Sequence, residues 1–202
     1  MEKLNKVRLS GRTCEVGRSH KYVGKQFYSI KLVNIRPCGI SDRFQIIIEK
    51  SIMGNDEYEG KEILVTGSFR SFNISKEPGK RHNVNYIYAD SIEILDGPAP
   101  GGDINEIEFI AKNYSKNTTP VKVGGNKVLN LLLTISRSQR RWDAVYCALW
   151  NSLAEKAEAL KKGDCLKISG RLLSREMLKN AKVLETVYEV SANEMEILED
   201  EK

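Results

Sequence analysis

Residues 142–150 read WDAVYCALW, and this stretch decides the fold because its apolar and aromatic side chains alternate. Successive side chains of a β-strand point to opposite faces of the sheet. One set would face the interior: Val145, Cys147 and Leu149. The other set would face outward: Trp142, Ala144, Tyr146, Ala148 and Trp150. The stretch therefore predicts a strand with one core face and one aromatic face.

The segments around this strand predict four more strands and one helix. Residues 129–135 alternate in the same way, with leucine or isoleucine at every second position. Gly124 and Gly125 predict a hairpin turn before them. Residues 151–162 (NSLAEKAEALKK) have helical spacing, with Asn151 or Ser152 as the cap and Gly163 as the end. The five strands are expected near 105–114, 127–137, 141–150, 164–176 and 183–198.

The first half of the chain repeats this plan. NKVRL at 5–9 resembles NEIEF at 105–109, GKEILVTG at 60–67 resembles GDCLKISG at 163–170, and DSIEIL at 90–95 resembles NEMEIL at 193–198. Three matches in one order indicate a duplicated domain. Strands of the first copy are expected near 5–14, 27–36, 42–50, 61–73 and 82–95, with a loop or short turn over 51–59.

Five strands with an element between the third and fourth are typical of the OB-fold, although another five-stranded barrel fits the same pattern. The prediction is an all-β chain with two tandem five-stranded Greek-key barrels, the second of which carries a short helix between its third and fourth strands. The stretch DGPAPGGD at 96–103 has linker composition. The expected domains are 1–96 and 104–202, joined by a linker over 97–103.

The second copy resembles the bacterial single-stranded-DNA-binding protein family. The resemblance rests on WDAVYCALW, on LAE at 153–155, on LKKGD at 160–164 and on ISGRL at 168–172, in that order. NKVRLSGR at 5–12 is similar to the first strand of the family. The family usually has one barrel and a long tail with an acidic tip, whereas this sequence has two barrels and ends at Lys202, so the tail is expected to be missing. The resemblance implies single-strand binding and, through assembly of four barrels, a homodimer.

Single strands are held by cations on phosphates and by aromatic faces on bases. The candidate rings are Phe72, Trp142, Tyr146 and Trp150. The candidate cations are Arg8, Arg12, Lys25, Arg70, Arg137, Arg140, Arg141, Lys167, Arg171 and Arg175. The group from Arg137 to Trp142 is the favoured phosphate contact. Arg18, Lys21 and Lys25, with His20 and Tyr22, are expected to form a basic loop before the second strand. In the first copy, Phe44 is expected to replace Trp142 on a strand that is buried for most of its length.

Other classes of function find little support. The sequence holds four scattered cysteines and two histidines, so neither a metal site nor a cofactor is expected. No phosphate-binding glycine loop and no nucleophile arrangement is recognisable, so an enzyme is not expected. The sequence shows no recognisable signal peptide and no apolar run long enough to cross a membrane. The expected location is the cytoplasm, at the nucleoid.

The net charge of +5 permits a polyanionic partner without requiring one. The favoured function is sequence-tolerant binding of single-stranded DNA in replication, recombination or repair. Two alternatives stay open: a protein-interaction or assembly module of a primosome, phage or mobile element, in which the rings would form an interface, and RNA binding.

Overall fold

The structure is a computed structural model, and it describes residues 3–77, 80–99, 101–116, 121–137, 141–179 and 182–199. Two compact units divide the chain. The first unit comprises residues 6–70 and 85–106, and the second unit comprises 1–5, 71–84 and 107–202. The predicted domain boundaries at 96 and 104 stay a prediction.

The first repeat forms five strands and one short helix. They are β1 (Asn5–Tyr22), β2 (Lys25–Ile35), β3 (Ser41–Glu49), α1 (Lys50–Met53), β4 (Glu62–Glu77) and β5 (Lys80–Ile94). β1 pairs with β2 and β4, β2 pairs with β3, and β3 runs parallel to β5. β5 neighbours β4, so the ring of strands closes in the order β1-β2-β3-β5-β4.

The second repeat forms the same ring with one added strand. Its elements are β6 (Asn105–Lys116), β7 (Val121–Val123), β8 (Asn126–Ser136), β9 (Trp142–Trp150), α2 (Ser152–Lys156), β10 (Cys165–Lys179) and β11 (Lys182–Leu198). The ring closes in the order β6-β8-β9-β11-β10, with β9 and β11 parallel. The all-β prediction and the five-stranded OB plan are confirmed.

Alternation of apolar side chains fills each barrel. In the first unit the interior includes Leu9, Leu32, Phe44, Ile46, Val65 and Ile87, all almost fully buried. In the second unit it includes Phe109, Leu131, Val145, Leu166, Ile168 and Val190. Because each strand contributes every second residue to the core, the intervening residues point outward and can carry function.

The segment before β2 is a strand and a turn, so the predicted basic loop is wrong. β1 continues to Tyr22 and pairs with β2 as far as Lys25. Val23 and Gly24 form the turn with positive φ values of 46° and 75°, as hairpins with two-residue turns of type I′ require. The predicted glycine turn of the second repeat is confirmed, with φ values of 55° and 85° at Gly124 and Gly125.

The predicted helix over 151–162 is shorter than expected. α2 ends at Lys156, and one 3-10 turn follows at Ala157–Ala159. Asn151 precedes the helix without a side-chain cap; its side-chain oxygen instead accepts a hydrogen bond of 3.1 Å from the Lys127 N–H. Ala154, Ala157 and Leu160 are buried, so apolar contacts hold this segment against the barrel.

Gly170 lies where two strands approach each other closely. A Cβ atom added there would overlap the Ser191 carbonyl oxygen on β11, and Gly67 has the same relation to Tyr88 in the first repeat. We expect Gly170→Ala to lower the free energy of unfolding of the second unit by roughly 1–3 kcal/mol, because the backbone must shift to relieve the overlap. Urea unfolding followed by circular dichroism measures it.

Gly17→Ala is the matched control, because nothing lies within 4 Å of a Cβ atom at that position. A loss for Gly170→Ala no larger than that of the control would contradict this account of the close approach.

Candidate nucleic-acid interface

The outward face of β9 carries two strongly exposed rings. Trp142 is 65% exposed and Tyr146 is 48% exposed, whereas Val145, Cys147 and Leu149 are buried. The predicted alternation is therefore confirmed. Trp150, on the same face, is partly exposed, and Ala148 is buried. Residues four apart along a strand are about 13 Å apart, so the two exposed rings leave room between them for a planar group.

The strands on either side of β9 surround Tyr146 with partly exposed side chains. Leu132 of β8 and Glu189 of β11 are its register partners. Cross-strand neighbours of this kind have Cβ atoms about 4.5–5.5 Å apart.

Cys147 lies on the buried face of the same strand. Burial raises the pKa of its thiol, with a smaller contribution from the charge of Glu189. That thiol therefore stays neutral and acts as core.

Two cations that make no ion pair with any described residue lie at the flanks of this face. Arg171 of β10 pairs in register with Ser191, which pairs with Ala148 of β9. Lys112 of β6 pairs with Thr134, which pairs with Ala144. At about 4.8 Å per strand, each cation lies about 10 Å from β9. The sequence analysis did not identify Lys112. The available signal was alternation along β6: Lys112 follows the buried residues Phe109 and Ala111 in the pattern and therefore faces outward.

Several predicted cations are paired with carboxylates. In the second unit, Arg175 contacts Glu189 at 2.8 Å and Lys167 contacts Glu108 at 3.0 Å. In the first unit, Arg8 contacts Glu106 and Lys25 contacts Glu49, both at 2.9 Å. Exposed pairs are typically worth about 0–1 kcal/mol. A phosphate can displace the carboxylate in such a pair, but binding there gains less free energy than binding at an unpaired cation.

The pair between Lys25 and Glu49 shifts both groups toward their charged forms. The hydrogen bond from Lys25 to Glu49 raises the pKa of the lysine. Hydrogen bonds from Ser51 and then from Lys25 lower the pKa of Glu49. Lys25 therefore sits beside a carboxylate that remains ionised at neutral pH.

The arginines before β9 differ in their surroundings. Arg137 is mostly buried and donates to the carboxylate of Asp143, with 2.5 Å between Nε and Oδ2. Arg141 is exposed and makes no ion pair with any residue in the described ranges. Arg140 lies outside the described residues. Within the predicted group, Arg141 is thus the cation whose placement suits a phosphate, while Arg137 is engaged inside the unit.

Phe72 belongs to the second unit, although the first repeat encodes it. Its ring is 46% exposed, and it lines a groove of about 420 Å³ together with Arg141 and Trp142. Arg137 lines the groove as well, so the structure brings four of the predicted site residues together. The predicted residues Arg12 and Arg70 lie in the first unit: Arg12 is exposed on β1 and lines a separate recess of about 360 Å³, and Arg70 is partly exposed.

The first repeat lacks an aromatic face on β3. Phe44 is buried in the core and pairs in register with Leu32, so its predicted equivalence to Trp142 is wrong. The strand alternates rather than being buried for most of its length. The side chains on its outward face are those of Ser41, Arg43, Gln45, Ile47 and Glu49. None of these five side chains carries an aromatic ring.

Two features are absent from the part of the chain that the structure describes. No group of three or more histidine, cysteine, aspartate or glutamate side chains is placed to hold a metal ion there. None of the helices in the described ranges is long and apolar enough to cross a membrane.

Comparisons with known proteins agree with this architecture. Wild-type single-stranded DNA binding protein from Thermus aquaticus matches with a TM-score of 0.77 at 20% identity, covering 100% of this chain and 96% of that chain. A deletion mutant of the same protein matches with a TM-score of 0.75 at 22% identity, covering 99% of this chain and 97% of that chain. No curated protein matches the chain. At these identities, the structural likeness establishes the fold.

The sequence comparison is more specific for the second repeat. Residues 109–198 match the model of the Single-strand binding protein family. This range contains β9 with both exposed rings, and it contains Arg171 and Lys112. Over residues 109–198, the chain is therefore similar to the single-strand binding protein family.

Proposed function

We propose that the chain binds single-stranded DNA with little dependence on base sequence, and that the outward face of β9 is the contact surface. The observation that carries the proposal is the exposure of Trp142 and Tyr146 on one face of a strand whose other face is core. Aromatic rings on which bases stack, together with cations that follow the backbone, are what proteins use to bind single strands. The name of the matching family and that of the Thermus aquaticus protein both specify single strands.

The chemistry of this face suits an unpaired strand. Bases of a single strand can turn their π-faces toward a protein, and a stack on an aromatic ring is worth roughly 1–3 kcal/mol per base. Arg141, Arg171 and Lys112 border the rings and can neutralise phosphates. A duplex keeps its bases stacked on one another, so it offers the rings no face. The face is therefore expected to discriminate against double strands.

The biological context belongs to the same proposal. A protein of this kind would protect or present single strands in replication, recombination or repair, without catalysing a reaction. The resemblance to the family also implies a homodimer, in which two chains would bring four barrels together. RNA is the competing ligand, because its single strands offer the same π-faces and phosphates.

Oligo-dT titration tests the proposal. The chain has two tryptophans, and both lie on β9, so intrinsic fluorescence reports on the proposed surface. We expect strong quenching by oligo-dT that weakens with salt. Three phosphate contacts give a logarithmic slope near −2, or roughly a 20-fold loss of affinity between 50 and 200 mM salt.

Two further ligands complete the experiment. Duplex DNA of equal length should quench weakly, and oligo-rU measures how far the preference for DNA extends. A preference for oligo-rU would assign the face to RNA. Absence of both quenching and a gel shift with every nucleic acid would instead favour the assembly module, with the rings covered by a protein partner.

A further inference from the structure

The groove beside Trp142 has two walls that come from different parts of the sequence. Its volume is about 420 Å³, which lies within the range of sites for small organic ligands. One wall belongs to the β4–β5 hairpin, and the other belongs to β9 and the residue before it. The groove is lined by Phe72, Asn73 and Asn83 on the hairpin side and by Arg141, Trp142 and Ala144 on the β9 side.

Three hydrogen bonds at Ser71 join the walls. The Ser71 N–H donates to Asp143 Oδ1 at 2.5 Å, and the Ala144 N–H donates to Ser71 Oγ at 2.8 Å. Arg137 Nη2 donates to the Ser71 carbonyl oxygen at 3.0 Å. Every donor and acceptor at this point belongs to the second unit. Phe72 and Trp142 are the chain neighbours of the bonded residues, so these bonds set their separation.

Asp143 is a charged residue on the core side of its strand, β9. It lies in line with Val145 and Cys147, and it is completely buried. A buried carboxylate is costly unless it is paired and fully hydrogen-bonded. Arg137 provides the pair with two of its nitrogens, and Ser71 provides a further donor. An apolar residue there could not accept the hydrogen bond from the Ser71 N–H.

We propose that Ser71, Arg137 and Asp143 form a clamp that positions Phe72 opposite Trp142, so that the groove receives one unpaired base between the two rings. Arg141 at the rim contacts the phosphate of that nucleotide. This inference rests on the proposed function and adds to it a defined site for one nucleotide. The three clamp residues are positioning residues, and the two rings contact the ligand.

The exposure of the rings supports a base as the occupant. Phe72 is 46% exposed and Trp142 is 65% exposed, so solvent reaches both side chains. The adjoining cation matches the phosphate that accompanies each base. A base held between two rings gains a stack on each side, whereas Tyr146 offers a single face. The groove is therefore expected to be the tightest part of the binding surface.

Oligo-dT binding by Phe72 and Ser71 variants tests the clamp, with fluorescence anisotropy of a labelled oligonucleotide as the readout. We expect Phe72→Ala to weaken binding by about 5-fold to about 150-fold, the equivalent of one stack. Ser71→Ala should weaken it by about 2-fold to about 10-fold, the equivalent of one hydrogen bond. Because Ser71 acts through Phe72, Ser71→Ala should cause no further loss in the Phe72→Ala background.

Asp143→Asn keeps the shape of the side chain and removes the charge that holds Arg137. This substitution should therefore weaken binding in the wild-type background and cause no further loss in the Phe72→Ala background. If that variant fails to fold, the result for Ser71→Ala alone tests the clamp. Ser169→Ala is the matched control, because it removes a surface hydroxyl whose 3.2 Å hydrogen bond to Glu194 lies away from the groove. The control should bind as the wild-type chain does.

The outcomes separate the two proposals. Binding that depends on Trp142 but not on Phe72 and Ser71 would overturn the clamp and leave the proposed function standing. Losses for Ser71→Ala and Phe72→Ala that multiply independently would also overturn it. Absence of binding by the wild-type chain would overturn the proposed function and the clamp together.

Discussion

Trp142→Ala combined with Tyr146→Ala should weaken binding to oligo-dT by roughly 2–6 kcal/mol, because each ring contributes one stack of about 1–3 kcal/mol. Both side chains are exposed on the outward face of β9, so truncating them leaves the barrel core intact. The variant should therefore unfold at the same denaturant concentration as the wild-type chain. Affinity is best followed by anisotropy of a labelled oligonucleotide, since the variant lacks one of the reporting tryptophans.

A ring of equal exposure provides the control. Tyr22 is also 65% exposed, but it lies at the end of β1 in the first unit. Tyr22→Ala should change affinity far less than the double variant does. Equal losses for the two variants would mean that exposed rings in general, rather than the β9 face, determine binding. An unchanged affinity in the double variant would remove β9 from the site.

Much of the fold could be predicted because strand periodicity and repeats are visible in a sequence. The alternation of residues 142–150 specified which side chains would be buried, and the burial of Val145, Cys147 and Leu149 agrees with it. The three repeated segments predicted two copies of one topology, and both rings close in the same strand order. These signals are local or repeated, so they can be recognised in the sequence without knowledge of tertiary contacts.

A strand that is exposed on both faces shows no alternation of apolar and polar residues, so it cannot be recognised from the sequence. Residues 18–22 of β1 are all exposed, so their side chains show no alternation and resemble a loop. The predicted equivalence of Phe44 and Trp142 fails for a different reason: the two residues lie on opposite faces of their strands. The registers Phe27–Glu49 and Val128–Trp150 are equivalent in the two repeats, which places Phe44 on the core side.

The role of Arg137 depended on a tertiary contact. Its position next to other arginines suggested a phosphate contact, whereas its guanidinium is bound to Asp143 and to the Ser71 carbonyl. A signal did exist in the sequence. Arg36 and Asp42 have the same spacing as Arg137 and Asp143, and both pairs join the two ends of the loop between the second and third strands of a barrel. A repeated arginine–aspartate pair indicates a structural bond more than a ligand site.

Asp42→Ala should lower the free energy of unfolding of the first unit by roughly 3–5 kcal/mol, because it leaves a guanidinium without its buried partner. Asp42 is fully buried, and Arg36 donates to it through Nε at 2.5 Å and Nη2 at 2.6 Å. The hydrogen bond to Asp42 raises the pKa of Arg36, so the charge persists at any working pH. Urea unfolding followed by circular dichroism measures the loss.

Glu106→Ala is the matched control, since it also removes a carboxylate from an arginine, but in an exposed pair with Arg8. Exposed pairs contribute about 0–1 kcal/mol, so a similar loss in both variants would contradict the importance of burial. Replacing both partners separates charge from packing. Arg36→Met with Asp42→Leu should recover most of the lost stability, because an apolar pair of similar volume needs no compensation. If it recovers none, the bond orders the loop between β2 and β3 in a way that packing does not replace.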